Sequence, residues 1–110
     1  MAQLKGPRSY PKVILILDQE WTIKFVRRID IAVQGGYRVM GSCDSDERNI
    51  SILLGLTPYE TFVTFMHEVM HAMEYEYRFE IPHAKVLDKL DMAMAQFYLA
   101  NNKEMRRIIS

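Results

Sequence analysis

Residues 57–77 read TPYETFVTFMHEVMHAMEYEY. Thr57 and Glu60 bracket Pro58 as a capping box with proline at the first helical position: the Thr57 hydroxyl can accept from the backbone N–H of Glu60 while the Glu60 carboxylate accepts from the N–H of Thr57. A helix starting there and advancing about 100° per residue collects Phe62, Met66, Val69, Met70, Met73 and Tyr77 in one apolar stripe, with Phe65 at its edge. His67 and His71 fall on the opposite face. Four positions apart, they stand one above the other, so that two imidazoles can grip one metal ion. Glu68 points to the flank of that face, where its carboxylate can take a proton from metal-activated water without binding the metal itself. The stretch is an H-E-x-x-H motif on a strongly capped helix.

Upstream the apolar period is two rather than 3.6. After an irregular lead-in with Gly6, Pro7 and Pro11, the run Val13 to Leu17 suits a buried strand. Asp18-Gln19-Glu20 reads as a turn, and Trp21 to Arg27 alternates with apolar residues at 21, 23 and 25, a strand with Arg27 and Arg28 toward water. Gly35-Gly36 can supply positive φ in a turn that leads into a third strand near Tyr37 to Ser42. Asp44 to Arg48 is a polar connection, and Asn49 to Leu53 alternates again, short and polar on one face as an edge strand would be. Downstream, Arg78 to Pro82 interrupts the helix and Pro82 can open another, in which His83, Val86, Leu87, Leu90, Met94 and Phe97 share a face until Asn101-Asn102 ends it. The expected fold is α+β: a small mixed or antiparallel sheet of about four strands packed on the H-E-x-x-H helix and a second, C-terminal helix.

Bulk properties narrow the function classes. A length of 110 residues with 49% hydrophobic content fits one domain over 1–110 with a modest core. Fourteen basic residues balance fourteen acidic ones, which argues against a nucleic-acid or anionic-membrane partner. The apolar run at Val13 is too short for a signal peptide or a membrane span. Cys43 is the single cysteine and reads as a buried, inert thiol in a reducing compartment, so a cytoplasmic location is expected.

With strands first and then a helix bearing His67, Glu68 and His71, the chain resembles the zincin metallopeptidases, in particular the small SprT-like group and minimal phage-type metallopeptidases. The likeness spans roughly Trp21 to Asn101: the strand and turn GSCDSDERNISI at 41–52, then TFMHEVMHAM at 64–73, with Thr64 three residues before His67 and Ala72 directly after His71. A metzincin-like continuation would put Gly at 74 and His at 77, where this chain has Glu74 and Tyr77. The resemblance implies a zincin-like fold and a peptide or protein substrate. It also implies that the strand before the helix, Asn49, Ile50, Ser51, Ile52 and Leu53, borders the cleft and pairs with an extended substrate. It further implies a third zinc ligand shortly downstream of the motif, a place matched by His83. Asp91 competes on simple geometry, because an antiparallel helical hairpin turning near Glu80 brings positions 89 to 91 level with His71. Glu74, one turn beyond His71, reads as a hydrogen-bond partner of a ligand rather than a ligand.

The leading expectation is a zinc-dependent metallopeptidase with His67, His71 and His83 holding zinc and Glu68 as general base. Tyr75 and Tyr77 are candidates for stabilising the oxyanion. A zinc-stabilised protein-binding module without turnover is the alternative, and a closed four-ligand set using both His83 and Asp91 would mark it. A metal-free α+β interaction domain with an accidental motif is a third reading. Neither rival has a use for an intact base at Glu68.

Overall fold

The computed structural model describes residues 4–29 and 39–109, in which a four-stranded mixed sheet packs against two helices. Strand β1 (Val13–Ile16) and strand β2 (Gln19–Val26) form a hairpin. Its turn is Leu17-Asp18, both with positive φ (49° and 64°), a two-residue connection whose twist matches that of the strands. Gln19 and Glu20, read from sequence as turn, are therefore the first rungs of β2. Strand β3 (Gly41–Asp44) and strand β4 (Asn49–Leu53) form a second antiparallel pair, and β4 runs parallel to β2. The expected turn at Gly35-Gly36, and Tyr37 at the start of the expected third strand, lie outside the described residues; the observed strand begins at Gly41.

The sheet order is β1-β2-β4-β3. Asn49 to Leu53 is thus an interior strand, paired along one side with β2 and along the other with β3. The expectation that Asn49, Ile50, Ser51, Ile52 and Leu53 form a substrate-binding edge is corrected: their backbone groups are taken up by two neighbours, and Ile50, Ile52 and Leu53 are buried. The edge beside the helix is β3. Trp21 and Ile23 of β2 with Ile50 and Ile52 of β4 project to one face, where they meet Val69 and Ala72 to make the core.

Helix α1 (Pro58–Tyr77) starts as its sequence predicts. Glu60 N–H donates to Thr57 Oγ1 at 3.1 Å and Thr57 N–H to Glu60 Oε1 at 3.0 Å, so both halves of the capping box are made. Arg78 ends it in the left-handed region at φ 58°, with its N–H on the Glu74 carbonyl. The buried face keeps Val69 and Met70 of the expected stripe but loses its C-terminal end and takes in residues outside it. Thr61, Thr64, Glu68, Val69, Met70 and Ala72 are buried, whereas Met73 and Tyr77 are exposed. Small residues face the sheet because β3 crosses α1 closely. A Cβ on Gly41 would stand 2.7 Å from Thr64 Cγ2 and 2.9 Å from Glu68 Oε2.

The chain reverses through Phe79 to Pro82 and enters one π-helical turn, His83–Leu87, in which Leu87 N–H donates to the Pro82 carbonyl at 3.0 Å. Helix α2 (Asp88–Ile108) continues from it. At Asn101, with φ −125° and ψ 22°, the regular helix breaks where its sequence suggests an end, and a second helical segment continues across the kink to Ile108. Among the described residues, no helix is long and apolar enough to cross a membrane.

Candidate metal centre

The hairpin of α1 and α2 faces the sheet edge across an open cleft of about 1320 Å³. Gly41 and Cys43 of β3 line one wall, His67, Glu68 and His71 of α1 form the floor, and His83 and Asp91 close the far side. One ligand atom from each of His67, His71 and His83 lies within 4.8 Å of the other two. The nearest pair is His67 Nε2 and His83 Nε2 at 3.1 Å, and the rings of His71 and His83 stack at 5.2 Å with an interplanar angle of 16°.

Each helical imidazole is held by a carboxylate on its other nitrogen. His67 Nδ1 lies 2.8 Å from Asp91 Oδ2, and His71 Nδ1 lies 2.8 Å from Glu74 Oε1. A carboxylate accepts only, so these contacts assign the hydrogen to Nδ1 and leave an Nε2 lone pair pointing into the cluster. Burial also lowers the His71 pKa, an effect that outweighs the opposing hydrogen bond His71 donates to Glu74, and so favours the neutral, ligating form. Glu74 also anchors the following loop. Its Oε2 accepts from Ile81 N–H at 2.7 Å, tying the segment that delivers His83 to the carboxylate that orients His71.

His83 and Asp91 each belong to a group that could hold a metal ion, His67 with His71 and His83, or His67 with Asp88 and Asp91. Both reach His67, on opposite nitrogens of one ring: His83 at Nε2 among the other imidazoles, Asp91 at Nδ1. Hairpin counting sets Asp91 level with His71; in the structure it meets His67, one turn earlier, on the nitrogen away from His83. In a regular α-helix two residues eight apart differ by about 80° in phase. The π turn slows the rotation between them, which lets both meet the same ring.

Glu68 is 6% exposed and lies under Gly41, with no ion pair among the described residues. Burial pushes its carboxyl up to about 7 from an ordinary value of 4.5, the range in which a group both takes and returns a proton near neutral pH. Cys43 is half-buried at the cleft wall; burial, then the charges of Glu68, Asp44 and Glu74, push its thiol up to about 12. A thiol held protonated is a weak nucleophile, in keeping with the sequence reading, though Cys43 is only half-buried and nearer the site than expected.

Of the tyrosines, Tyr75 lines the cleft but is engaged elsewhere, edge-on to Trp21 and under the Arg48 guanidinium at 5.9 Å. Tyr77 is exposed and away from the cleft lining. Tyr59, which sequence reasoning passed over, lines the cleft and accepts from Gln96 Nε2 at 3.2 Å. Gly41 was also passed over, and its only sequence signal is the absence of a side chain. Gly41→Ala should cost about 1–3 kcal/mol of unfolding free energy through overpacking against Thr64 and Glu68. Urea denaturation checks this, and a variant as stable as the parent would mean that β3 can draw back from α1.

A tetrahedral zinc ion with bonds of about 2.0–2.1 Å holds its nitrogens about 3.4 Å apart. The three imidazoles, clustered within 4.8 Å, with His67 oriented by Asp91 and His71 by Glu74, fit such an ion. Comparison of the chain with known protein families, with curated proteins and with solved structures finds no match.

Proposed function

We propose that this chain is a zinc-dependent metallopeptidase of zincin-like, SprT-like character, with His67, His71 and His83 as the metal ligands and Glu68 as the general base. One observation carries the reading: three convergent imidazoles stand beside a buried carboxylate that has no ion-pair partner among the described residues. Zinc bound there supplies Lewis-acid chemistry, acidifying water and polarising a carbonyl. Glu68, raised to about 7, accepts the proton of the attacking water and returns it to the departing amine nitrogen. Asp91 and Glu74 hold His67 and His71 at fixed tautomer and angle while this happens.

The substrate is a peptide or protein in extended form, and the strand that suits it is β3. Leu53 N–H donates to the Met40 carbonyl at 2.8 Å. In the β3–β4 register the bonded rungs are therefore Met40, Ser42 and Asp44, which leaves the N–H and C=O groups of Gly41 and Cys43 directed away from the sheet along the cleft. A peptide laid there adds a strand beside Glu68. The alternative, a protein-binding module around a closed four-ligand zinc, is disfavoured because Asp91 sits on the far nitrogen of His67. The lone Cys43, its thiol held protonated, suits a cytoplasmic setting.

Protein purified without added zinc should contain about one zinc per chain, because the site has an imidazole-rich ligand set already ordered in the fold. Chelation should lower the melting temperature and zinc should restore it, since binding to the folded state alone adds about 2.7 kcal/mol at a hundredfold excess over Kd. Elemental analysis without zinc, together with a melting temperature indifferent to it, would overturn the reading.

A further inference from the structure

The opposite edge of the sheet belongs to β1, and its hydrogen-bonding phase follows from one rung. Ile23 N–H donates to the Lys12 carbonyl at 2.8 Å, so in the β1–β2 register the bonded residues are Lys12, Ile14 and Ile16. Val13 and Leu15 therefore direct both backbone groups out of the sheet. Their side chains, with that of Leu17 in the turn, are also exposed, at 46%, 67% and 50%. Edge strands are commonly protected by a charge, a proline or a bulge within the strand. Between residues 13 and 17 this one has none.

We infer that two copies of this chain associate through β1, edge to edge and antiparallel about a twofold axis at Ile14. The edge is complementary to itself. With Val13 of one copy opposite Leu15 of the other, every outward N–H of the two strands meets an outward C=O, and the exposed Val13 and Leu15 side chains cover each other on one face. The ends match in charge as well. Lys12 stands at the start of the strand and Asp18 just beyond its end, so the antiparallel arrangement brings each Lys12 to the end of the other strand that carries Asp18. A twofold contact of this kind closes on itself and stops at two copies. It joins the sheets into one, with β3 at both outer edges, so both clefts stay open.

Sedimentation velocity over a range of concentrations tests this on the full chain, with Leu15→Lys and Val13→Pro as variants. The lysine brings charge to an apolar contact, and the proline removes an N–H that points away from β2. Both changes lie on an exposed edge, and circular dichroism establishes that each variant is folded. The expected result is a reversible monomer–dimer equilibrium for the parent, with the dissociation constant raised at least about tenfold in each folded variant. A parent that stays monomeric overturns the inference. So does a dimer that survives in both folded variants, because it then uses another surface. Species that grow past the dimer overturn it too, pointing to β1 pairing with β3 of another copy in an open chain.

Discussion

On the proposed function, Glu68→Gln should abolish peptide cleavage while zinc binds as in the parent. The carboxylate makes no contact that the metal site needs: it is absent from the three-imidazole cluster, and the two imidazoles of α1 are oriented by Asp91 and Glu74 instead. Loss of a positioned base costs about 10²–10⁴-fold in rate. The amide fills the same space under Gly41, so the fold is kept. A stability difference accompanies the change in metal-free protein. Because burial raises the Glu68 pKa from 4.5 to about 7, the folded chain holds a proton that the unfolded chain has released. That contribution is fully present below the unfolded value and is lost as pH rises through about 7. Metal-free Glu68→Gln therefore loses less stability than the metal-free parent over this pH range. Equal cleavage by the two proteins on a peptide library, both fully loaded with zinc, would remove Glu68 from the mechanism.

On the proposed ligand set, His83→Ala should weaken zinc binding more than Asp91→Ala does. Removing His83 takes away one of three ligands and leaves the pair on α1, whereas removing Asp91 frees the His67 ring without deleting a donor, a change worth about 10–100-fold. Asp91→Asn keeps an oxygen that can accept from His67 Nδ1–H, so it should recover part of that loss. Competition titration against a chromogenic chelator measures all three. If Asp91→Ala proved the more damaging, the carboxylate would be the ligand and His83 its bystander.

The parts of this fold that were legible in the sequence are those written in local chemistry. Thr57, Pro58 and Glu60 specify a helix start through bonds made within one turn, and the alternation at Trp21, Ile23 and Phe25 specifies which side of a strand meets the core. His67 and His71 needed only the pitch of a helix. Pairing order is different: alternation at Asn49 to Leu53 tells which face is buried and says nothing about how many neighbours lie alongside, so an interior strand read as an edge. The buried face of α1 was read only in part for a related reason. Hydrophobicity found Val69 and Met70 but also favoured Met73 and Tyr77, while the packing turned Thr64 inward, where Gly41 of β3 leaves room for its side chain, and Ala72 into the core against the sheet. The roles of His83 and Asp91 could not be separated by counting at 3.6 residues per turn, since the turn joining them does not keep that count.

That irregular turn makes the site unusually sensitive to chain length. Asp91 belongs to the regular helix and is positioned by its packing, whereas His83 is positioned by the number of residues between it and that helix. Deleting a single residue from 84–87 would let the turn relax into ordinary α-helix and leave His83 seven positions from Asp91, about 20° from the same face, whereas inserting one would swing His83 around the axis by about 100° with Asp91 still on His67. The insertion would give a folded protein with two clustered imidazoles, an orienting carboxylate and an intact Glu68. Among related chains, then, one residue added in this turn would undo the proposed metal site without altering a residue of the H-E-x-x-H motif.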